Sequence, residues 1–277
     1  MQDALQQFFN QWRLTPIAQV AETGHAQVWK VEQTQGALAA LKLYHRQDTG
    51  NEGPGICLLQ HWQDRGAVTV IATSPSAVLM EWLDGPSLDQ IARDGNPDRA
   101  MTMLAQTAIQ LHAQPIPRLD DLVPLETVYA PFLKCRFAPD CPPELRKNMQ
   151  RGKSLARTLL STQHIRQPLH GDLHYGNVIL DQNGLRVFDA KGYAGDPAFE
   201  LANALRNPKD LPDLVRRPAQ INTGLIRFSQ ALQTSRKRLA EWAAAKCALS
   251  IFWRSNGPVS ADDEADLLDL LLHAADQ

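Results

Sequence analysis

Three oxygen-bearing side chains at short spacing are the residues of this chain best suited to chemistry. Asp172 and Asn177 lie in the segment HGDLHYGN, residues 170–177, and Asp189 ends the tripeptide VFD a little further on. A carboxylate can orient a hydroxyl nucleophile and accept its proton. An amide oxygen and a second carboxylate suit a divalent cation such as Mg2+, which prefers oxygen ligands. The set therefore predicts phosphoryl transfer to a hydroxyl group.

The spacing of these side chains matches a known catalytic loop. His170, Asp172 and Asn177 fit the pattern H-x-D-x4-N, in which the aspartate orients the acceptor and the asparagine reaches magnesium. Apolar runs at 178–180 and 185–188 flank a loop containing Asn-Gly, which predicts a β-hairpin. Such a hairpin returns the second carboxylate to the same cation.

Each of these residues also has a common structural role. An isolated Asp172 could cap a turn, and His170 and His174 with Asp172 could form part of a zinc site. The register of Asp172 with Asn177 and Asp189 favours the catalytic interpretation over the turn. The sequence supplies no further His or Cys cluster to complete four zinc ligands.

The first 80 residues have the pattern of a β-rich segment, with short apolar runs separated by turn signals. The runs are Ile17–Ala21, Ala26–Val31, Leu38–Tyr44, Val68–Ala72 and Ala77–Trp82. Helical spacing of apolar residues from Ile56 to Asp64 predicts one helix lying across this sheet.

Beyond Gly85 the pattern becomes helical. The predicted helices are one beginning at Asn96-Pro97 and others at Pro143–Leu160, Ala219–Leu232, Leu239–Trp253 and Asp262–His273. We predict an α+β fold with two lobes, residues 1–84 and 85–277, joined by the connector Met80–Gly85. Ligands bind preferentially between such units, so the connector marks the expected nucleotide site.

Composition limits the possible partners. The chain has 277 residues, 44% of them hydrophobic and 21% charged, with a net charge of -2 and a pI near 6.4. This charge supplies no overall attraction for nucleic acid. No apolar stretch approaches the roughly 20 residues of a membrane helix, and the four cysteines form no CxxC pair. We therefore predict a cytoplasmic protein with reduced thiols that binds neither nucleic acid nor membranes.

The catalytic segment, together with FDAKGYAGDPAFELANALRNP downstream, resembles the aminoglycoside phosphotransferase family, in particular its streptomycin and hydroxyurea branch. Smaller pieces at 29–31, 41–42, 65–68 and 80–82 fall in the order of that branch. The resemblance implies a bilobal protein-kinase-like fold and a kinase that uses ATP and Mg2+. Its acceptor would be a hydroxyl group of an aminoglycoside or a hydroxyurea-like molecule.

Carried onto this sequence, the resemblance makes Asp172 the catalytic aspartate and Asn177 and Asp189 the magnesium ligands. Lys42, in the strand ALKL, resembles the lysine that contacts the α- and β-phosphates. Its predicted partner is Glu52, with Asp48 as the alternative. Because side chains alternate along a strand, Lys42 is expected on the face opposite its two leucine neighbours.

The remaining nucleotide contacts follow from the same resemblance. Gly24 is the glycine of the predicted phosphate loop, although the full G-x-G-x-x-G pattern is absent. The backbone of Glu81 and Leu83 is expected to meet adenine. After Asp189 the chain has Ala-Lys rather than Phe-Gly, which argues against the activation switch of protein kinases.

On the acceptor side, Asp196 and Glu200 are candidate contacts for a cationic substrate, although Asp196 also suits a helix cap before Pro197. Two other functions remain open from sequence. One is a kinase for a metabolite alcohol such as choline, homoserine or a sugar. The other is a pseudokinase that binds nucleotide without transfer. The oligomeric state is not predicted.

Overall fold

The computed structural model describes residues 2–46, 48–49, 52–114 and 120–277. An antiparallel five-stranded sheet with two helices forms the N-terminal part. Its strands lie in the order β1-β2-β3-β5-β4. The elements are α1 (Gln2–Gln11), β1 (Leu14–Glu22), β2 (Ala26–Gln33), β3 (Leu38–Tyr44), α2 (Gly53–His61), β4 (Val70–Ser74) and β5 (Ala77–Glu81).

All five predicted strands are present, and β3 has the predicted bounds. Strand β1 is longer than predicted because its exposed side chains and two register shifts remove a regular alternation. Helix α2 begins at Gly53 rather than at Ile56, since proline is tolerated in the first turn of a helix. Helix α1 was not predicted. It packs on the outer face of the sheet.

The two faces of β3 have different environments. Leu41 and Leu43 belong to a small outer core together with Phe8 and Phe9 of α1. Lys42 points the other way, toward the carboxylates of Glu52, just before α2, and of Asp189 in the C-terminal part. The predicted orientation of Lys42 is confirmed.

The C-terminal part is mostly helical. Its helices are α3 (Leu88–Arg93), α4 (Pro97–Leu111), α5 (Leu125–Tyr129), α6 (Pro143–Ser161), α7 (Pro212–Val215), α8 (Pro218–Ala231), α9 (Arg236–Ser255) and α10 (Ala265–Ala275). Strands β6 (Val123–Pro124), β7 (Gln167–Leu169) and β10 (Tyr193–Gly195) form a small sheet. Strands β8 (Val178–Asp181) and β9 (Gly184–Val187) form the predicted hairpin.

The hairpin joins the two parts of the fold. The Val68 N–H donates to the Val187 carbonyl at 2.8 Å, and the Leu180 N–H donates to the Pro86 carbonyl at 3.0 Å. Gly85 lies so close that a Cβ there would be 2.1 Å from the Leu180 carbonyl oxygen. The predicted boundary after residue 84 falls in this connector and remains a prediction. No helix in the described ranges combines the length and apolarity of a membrane span.

A second close contact locks α2 against the segment that follows the hairpin. A Cβ on Gly55 would lie 1.8 Å from the carbonyl oxygen of Ala190. Gly192 has a φ of +68°, and a Cβ there would be 2.4 Å from the Pro54 backbone. These two glycines let the backbone of α2 touch residues 190–192 directly.

We predict that Gly55→Ala lowers the free energy of unfolding by about 1–3 kcal/mol, because the new methyl group must push two backbones apart. Chemical denaturation measures this change. Gly24→Ala is the control, since a Cβ there meets no atom within 4 Å. Equal effects of the two substitutions would contradict the predicted steric contact.

Candidate active site

The segment between β7 and β8 brings two of the predicted residues together. A 3-10 turn at Tyr175–Asn177 places the side-chain nitrogen of Asn177 3.0 Å from the backbone carbonyl of Asp172. The Asp172 carboxylate accepts a hydrogen bond from Asn203 at 2.8 Å. Because Asn177 uses its NH2 group within the loop, its carbonyl oxygen is available as a ligand.

Asp189 follows β9 with a φ of +60°, in the left-handed region that residues other than glycine seldom occupy. Such a conformation persists where the surroundings enforce it, and it often marks functional sites. Here it directs the carboxylate into the cleft between the two parts of the fold, where Oδ1 is 2.7 Å from Lys42 Nζ.

Four charged side chains form the charge cluster, which we define as Lys42, Glu52, Asp189 and Lys191. Lys42 lies 2.6 Å from Glu52 and 2.7 Å from Asp189, while Lys191 lies 2.7 Å from Glu52 and 3.6 Å from Asp189. Each lysine thus contacts both carboxylates. The predicted Lys42–Glu52 contact is confirmed.

The cluster determines the ionisation of its acids. Burial raises the pKa of Asp189, but Lys42 and Lys191 outweigh this effect and hold it at about 2. Burial and Asp189 raise the pKa of Glu52. Lys42 and Lys191 lower it by more, so the pKa of Glu52 lies below its usual value. Both carboxylates are therefore charged at neutral pH.

Glu200 supports the loop of residues 170–177 from the interior of the protein. Its side chain is inaccessible to solvent, and it accepts a hydrogen bond from the His170 N–H at 3.0 Å. His112 approaches the same oxygen at 3.3 Å. The ring of His170 bonds the Phe188 carbonyl at 2.9 Å, and burial lowers the pKa of His170. His170 thus has a structural role in the loop.

Asp196 has an internal role as well. It accepts from the Ala198 N–H at 2.9 Å, which caps a 3-10 turn, and lies 2.5 Å from Arg238 of α9. Asp196 and Glu200 are both buried and hold protein groups. Their described contacts support the loop from inside the protein, and contact of Asp196 or Glu200 with substrate remains a prediction.

Behind Asp172 lies a buried polar network that the sequence did not reveal. Arg206 donates to Asn203 at 2.7 Å and to Ser250 at 2.8 Å, and it also forms an ion pair with Glu264. Asn203 in turn donates to Asp172. The signal for Asn203 and Arg206 was the pair of polar positions in the otherwise apolar run LANALR.

Lys246 is a second residue that sequence reasoning missed. It is buried in α9, and no carboxylate oxygen in the described ranges lies within 4.0 Å of its ammonium nitrogen. Its neighbours are Ser250 at 3.5 Å and the ring of Trp253 at 4.7 Å. Burial lowers the pKa of Lys246 to about 8, against an opposing effect of Asp172.

Asp172 responds to the same charges. Burial raises its pKa, but Lys246, His174 and Lys191 outweigh burial, so the pKa of Asp172 is lowered. The carboxylate is ionised at neutral pH and can accept a hydrogen bond from a hydroxyl group. A carboxylate in this state suits the role of base or orienting group.

The predicted nucleotide contacts lie around the sheet and the connector. Gly24 is in the exposed turn between β1 and β2. The Glu81 side chain accepts from the Thr69 N–H at 2.7 Å and forms an ion pair with Arg186 of the hairpin. Leu83 is buried next to it. Contacts of Gly24, Glu81 and Leu83 with nucleotide remain predictions.

Comparison with known proteins identifies the family. Residues 11–257 match the model of the aminoglycoside/hydroxyurea antibiotic resistance kinases. The chain belongs to this kinase family. The kinase is 33% identical over 249 residues to streptomycin 3''-kinase of Klebsiella pneumoniae, covering 87% of this chain and 89% of the relative. It is 28% identical over 272 residues to streptomycin 6-kinase of Streptomyces glaucescens, covering 94% and 85%.

Solved structures confirm the fold of the kinase. An amicoumacin kinase in complex with AMP-PNP, Ca2+ and Ami has a TM-score of 0.66 at 14% identity, covering 99% of this chain and 93% of that one. The predicted bilobal protein-kinase-like fold is therefore confirmed. The family makes this chain a phosphotransferase that acts on hydroxyl groups of small molecules.

We predict that Asp196→Asn lowers the free energy of unfolding by about 1–3 kcal/mol, because it leaves the partly exposed Arg238 without its carboxylate. The acceptor KM should stay within about twofold, since the residue supports the loop from inside. Denaturation and steady-state kinetics measure the two quantities. Asp276→Asn, in a more exposed pair with Arg151, should cost less. A large rise in the acceptor KM at unchanged stability would instead show that Asp196 contacts the substrate.

Lys246→Met is expected to stabilise the kinase at pH 7 by on the order of 1–3 kcal/mol, because a buried charge is removed. The unfolded chain holds the lysine proton up to its ordinary pKa of 10.5, whereas the folded chain loses it above about 8. The free energy of unfolding of the wild type should therefore rise relative to that of the variant between pH 8 and 10.5.

Denaturation at pH 7, 8, 9 and 10 measures the difference between the two proteins. The control is Lys147→Met, which makes the same substitution at an exposed position of α6. A Lys246→Met difference that stays constant over this range would contradict the lowered pKa.

Proposed function

We propose that this chain transfers the γ-phosphate of ATP to a hydroxyl group of an aminoglycoside or a related polar molecule. The observation that carries the proposal is that the loop of Asp172 and Asn177 meets the segment of Asp189 beside the Lys42–Glu52 pair, since the Phe188 N–H donates to the Asn177 backbone carbonyl at 3.1 Å. These are the parts that kinase chemistry requires: a group for the acceptor, ligands for a cation and a lysine for phosphates.

The residues present fit a magnesium ion. The free carbonyl oxygen of Asn177 and the ionised carboxylate of Asp189 are hard oxygen ligands, and no sulfur or imidazole competes in this pair. When bound, Mg2+ would neutralise charge on the phosphate oxygens. Asp189 now contacts two lysines, so its carboxylate is already held in the charged form that binds a cation.

The protein's own groups account for the remaining steps. Asp172 orients the acceptor hydroxyl and takes its proton, and Asn203 holds the carboxylate in place. Lys42 binds the α- and β-phosphates, and Glu52 directs its ammonium group. Catalysis of this kind relies on positioning and charge, because each group is held in place before the substrate arrives.

A cavity of about 510 Å³, which we propose for the acceptor, is lined among others by Arg206, Asp262, Asp263 and Glu264. Arg206 connects it through Asn203 to Asp172. Its volume suits a small ligand, and its charged groups suit a polar one. Both streptomycin kinases among the relatives favour an aminoglycoside acceptor. Because the reaction consumes ATP, a cytoplasmic location is part of the proposal.

The test is incubation with ATP, Mg2+ and a panel of aminoglycosides, hydroxyurea, choline, homoserine and sugars, followed by mass spectrometry for a phosphorylated product. Asp172→Asn should lower kcat about 10²- to 10⁴-fold, because an amide cannot accept the proton. Asp98→Asn at an exposed position should keep activity within about twofold.

Three outcomes separate the candidates. Product from streptomycin or a related compound supports the proposal. Product only from choline, homoserine or a sugar would transfer the assignment to a metabolite kinase. Magnesium-dependent ATP binding without any product would indicate a pseudokinase, and full activity of Asp172→Asn would remove the central residue.

A further inference from the structure

Lys191 occupies an unusual place in the site. It follows Asp189 by two residues, at the position where the protein-kinase pattern has glycine. Its ammonium contacts Glu52 at 2.7 Å and Asp189 at 3.6 Å, the same two carboxylates that Lys42 contacts. The kinase thus brings two lysines to a site where the general pattern needs one.

A role in balancing the charges of Glu52 and Asp189 explains only part of this arrangement. Lys42 already lies 2.6 Å from Glu52, so one ammonium is enough to orient that carboxylate. Lys191 nevertheless forms ion pairs with both Glu52 and Asp189, so a second ammonium lies at the same place.

The backbone of Lys191 is held firmly. Its N–H donates to the His170 carbonyl at 2.7 Å, which ties it to the catalytic loop. The adjacent Ala190 and Gly192 lie against α2 at Gly55 and Pro54, with no space for further side-chain atoms. A cation on such a support needs little rearrangement to meet an incoming anion.

The charges around Lys191 indicate what that anion is. On one side is Asp189, the proposed ligand of the cation that accompanies the nucleotide. On the other is the loop that carries Asp172, because the Lys191 N–H donates to the carbonyl of His170 in that loop at 2.7 Å. A group transferred from a nucleotide beside Asp189 to an acceptor at Asp172 passes close to Lys191, and it carries negative charge.

We propose that Lys191 binds the γ-phosphoryl group of the nucleotide and stabilises its charge during transfer, while Lys42 serves the α- and β-phosphates. This inference rests on the proposed function. In the step, the bond between the γ-phosphorus and the β-bridging oxygen breaks and a bond to the acceptor oxygen forms. The acceptor proton goes to Asp172, and Lys191 keeps its own proton throughout.

The experiment compares the binding of AMP-PNP, which has a γ-phosphoryl group, with that of ADP, which has none. Titration calorimetry with Mg2+ gives both affinities for wild type, Lys191→Met, Lys191→Arg and Lys42→Met. We expect Lys191→Met to weaken AMP-PNP at least about 10-fold and ADP less than about threefold. Lys42→Met should weaken both alike, since Lys42 serves the α- and β-phosphates that the two nucleotides share.

Kinetics supply a second readout. Lys191→Met should lower kcat about 10²- to 10³-fold with little change in the acceptor KM, as expected when a charge that stabilises the transition state is lost. Lys191→Arg should recover part of kcat because it restores the positive charge. Thermal unfolding is measured first, and Lys191→Gln replaces the methionine variant if that variant does not fold.

The outcomes separate this inference from the proposed function. Equal weakening of AMP-PNP and ADP by Lys191→Met would overturn the inference and leave Lys191 as a support for Glu52. Retention of wild-type kcat by Lys191→Met would overturn it as well. If wild type bound neither nucleotide, the proposed function would fail, and the inference with it.

Discussion

The site depends on keeping two carboxylates charged within a few ångströms of each other in a partly buried cleft. Repulsion and desolvation both oppose this, and without nearby cations one of the two acids would take up a proton. Lys42 and Lys191 prevent it by contacting Glu52 and Asp189 together. Strand β3, helix α2 and the segment after β9 must therefore meet at one point.

The catalytic loop is held by a different kind of interaction. Its supports are hydrogen bonds with buried groups: Glu200 accepts from the His170 N–H, and Asn203 donates to the Asp172 carboxylate itself. Buried polar groups of this kind stabilise one geometry only when all partners are present. The loop is thus held by buried partners in the way that core segments are, although the proposed acceptor has to reach it.

The sequence predicted the fold well, and it placed Asp172 and Asn177 in one loop, because both depend on short-range patterns. The alternation in β3, the Asn-Gly hairpin at 183–184 and the spacing of Asp172 and Asn177 can all be read locally. Roles decided by long-range contacts could not be read in this way. Asp196 has the same side chain whether it faces a substrate or Arg238, and only the packing of α9 decides between them.

Residues missed from the sequence share one property, which is that they are polar or charged groups in apolar helical runs. Lys246 in AAAKCALS and Arg206 in LANALR would each be an exposed position if the helix lay at the surface. Both are enclosed because the helices that carry them pack on several sides. Local spacing predicts a helix but does not tell how many neighbours surround it.

The placement of Lys42 also limits how this enzyme can change. Strand β3 is hydrogen-bonded to β2 on one side and β5 on the other. Its register against these neighbours can therefore change only in steps of whole residues. A slip of one residue would bring leucines into the cleft and bury the ammonium beneath α1. The N-terminal sheet can consequently accept substitutions of side chains as long as the pairing of its strands is unchanged. A single inserted residue in β3 is expected to abolish function completely.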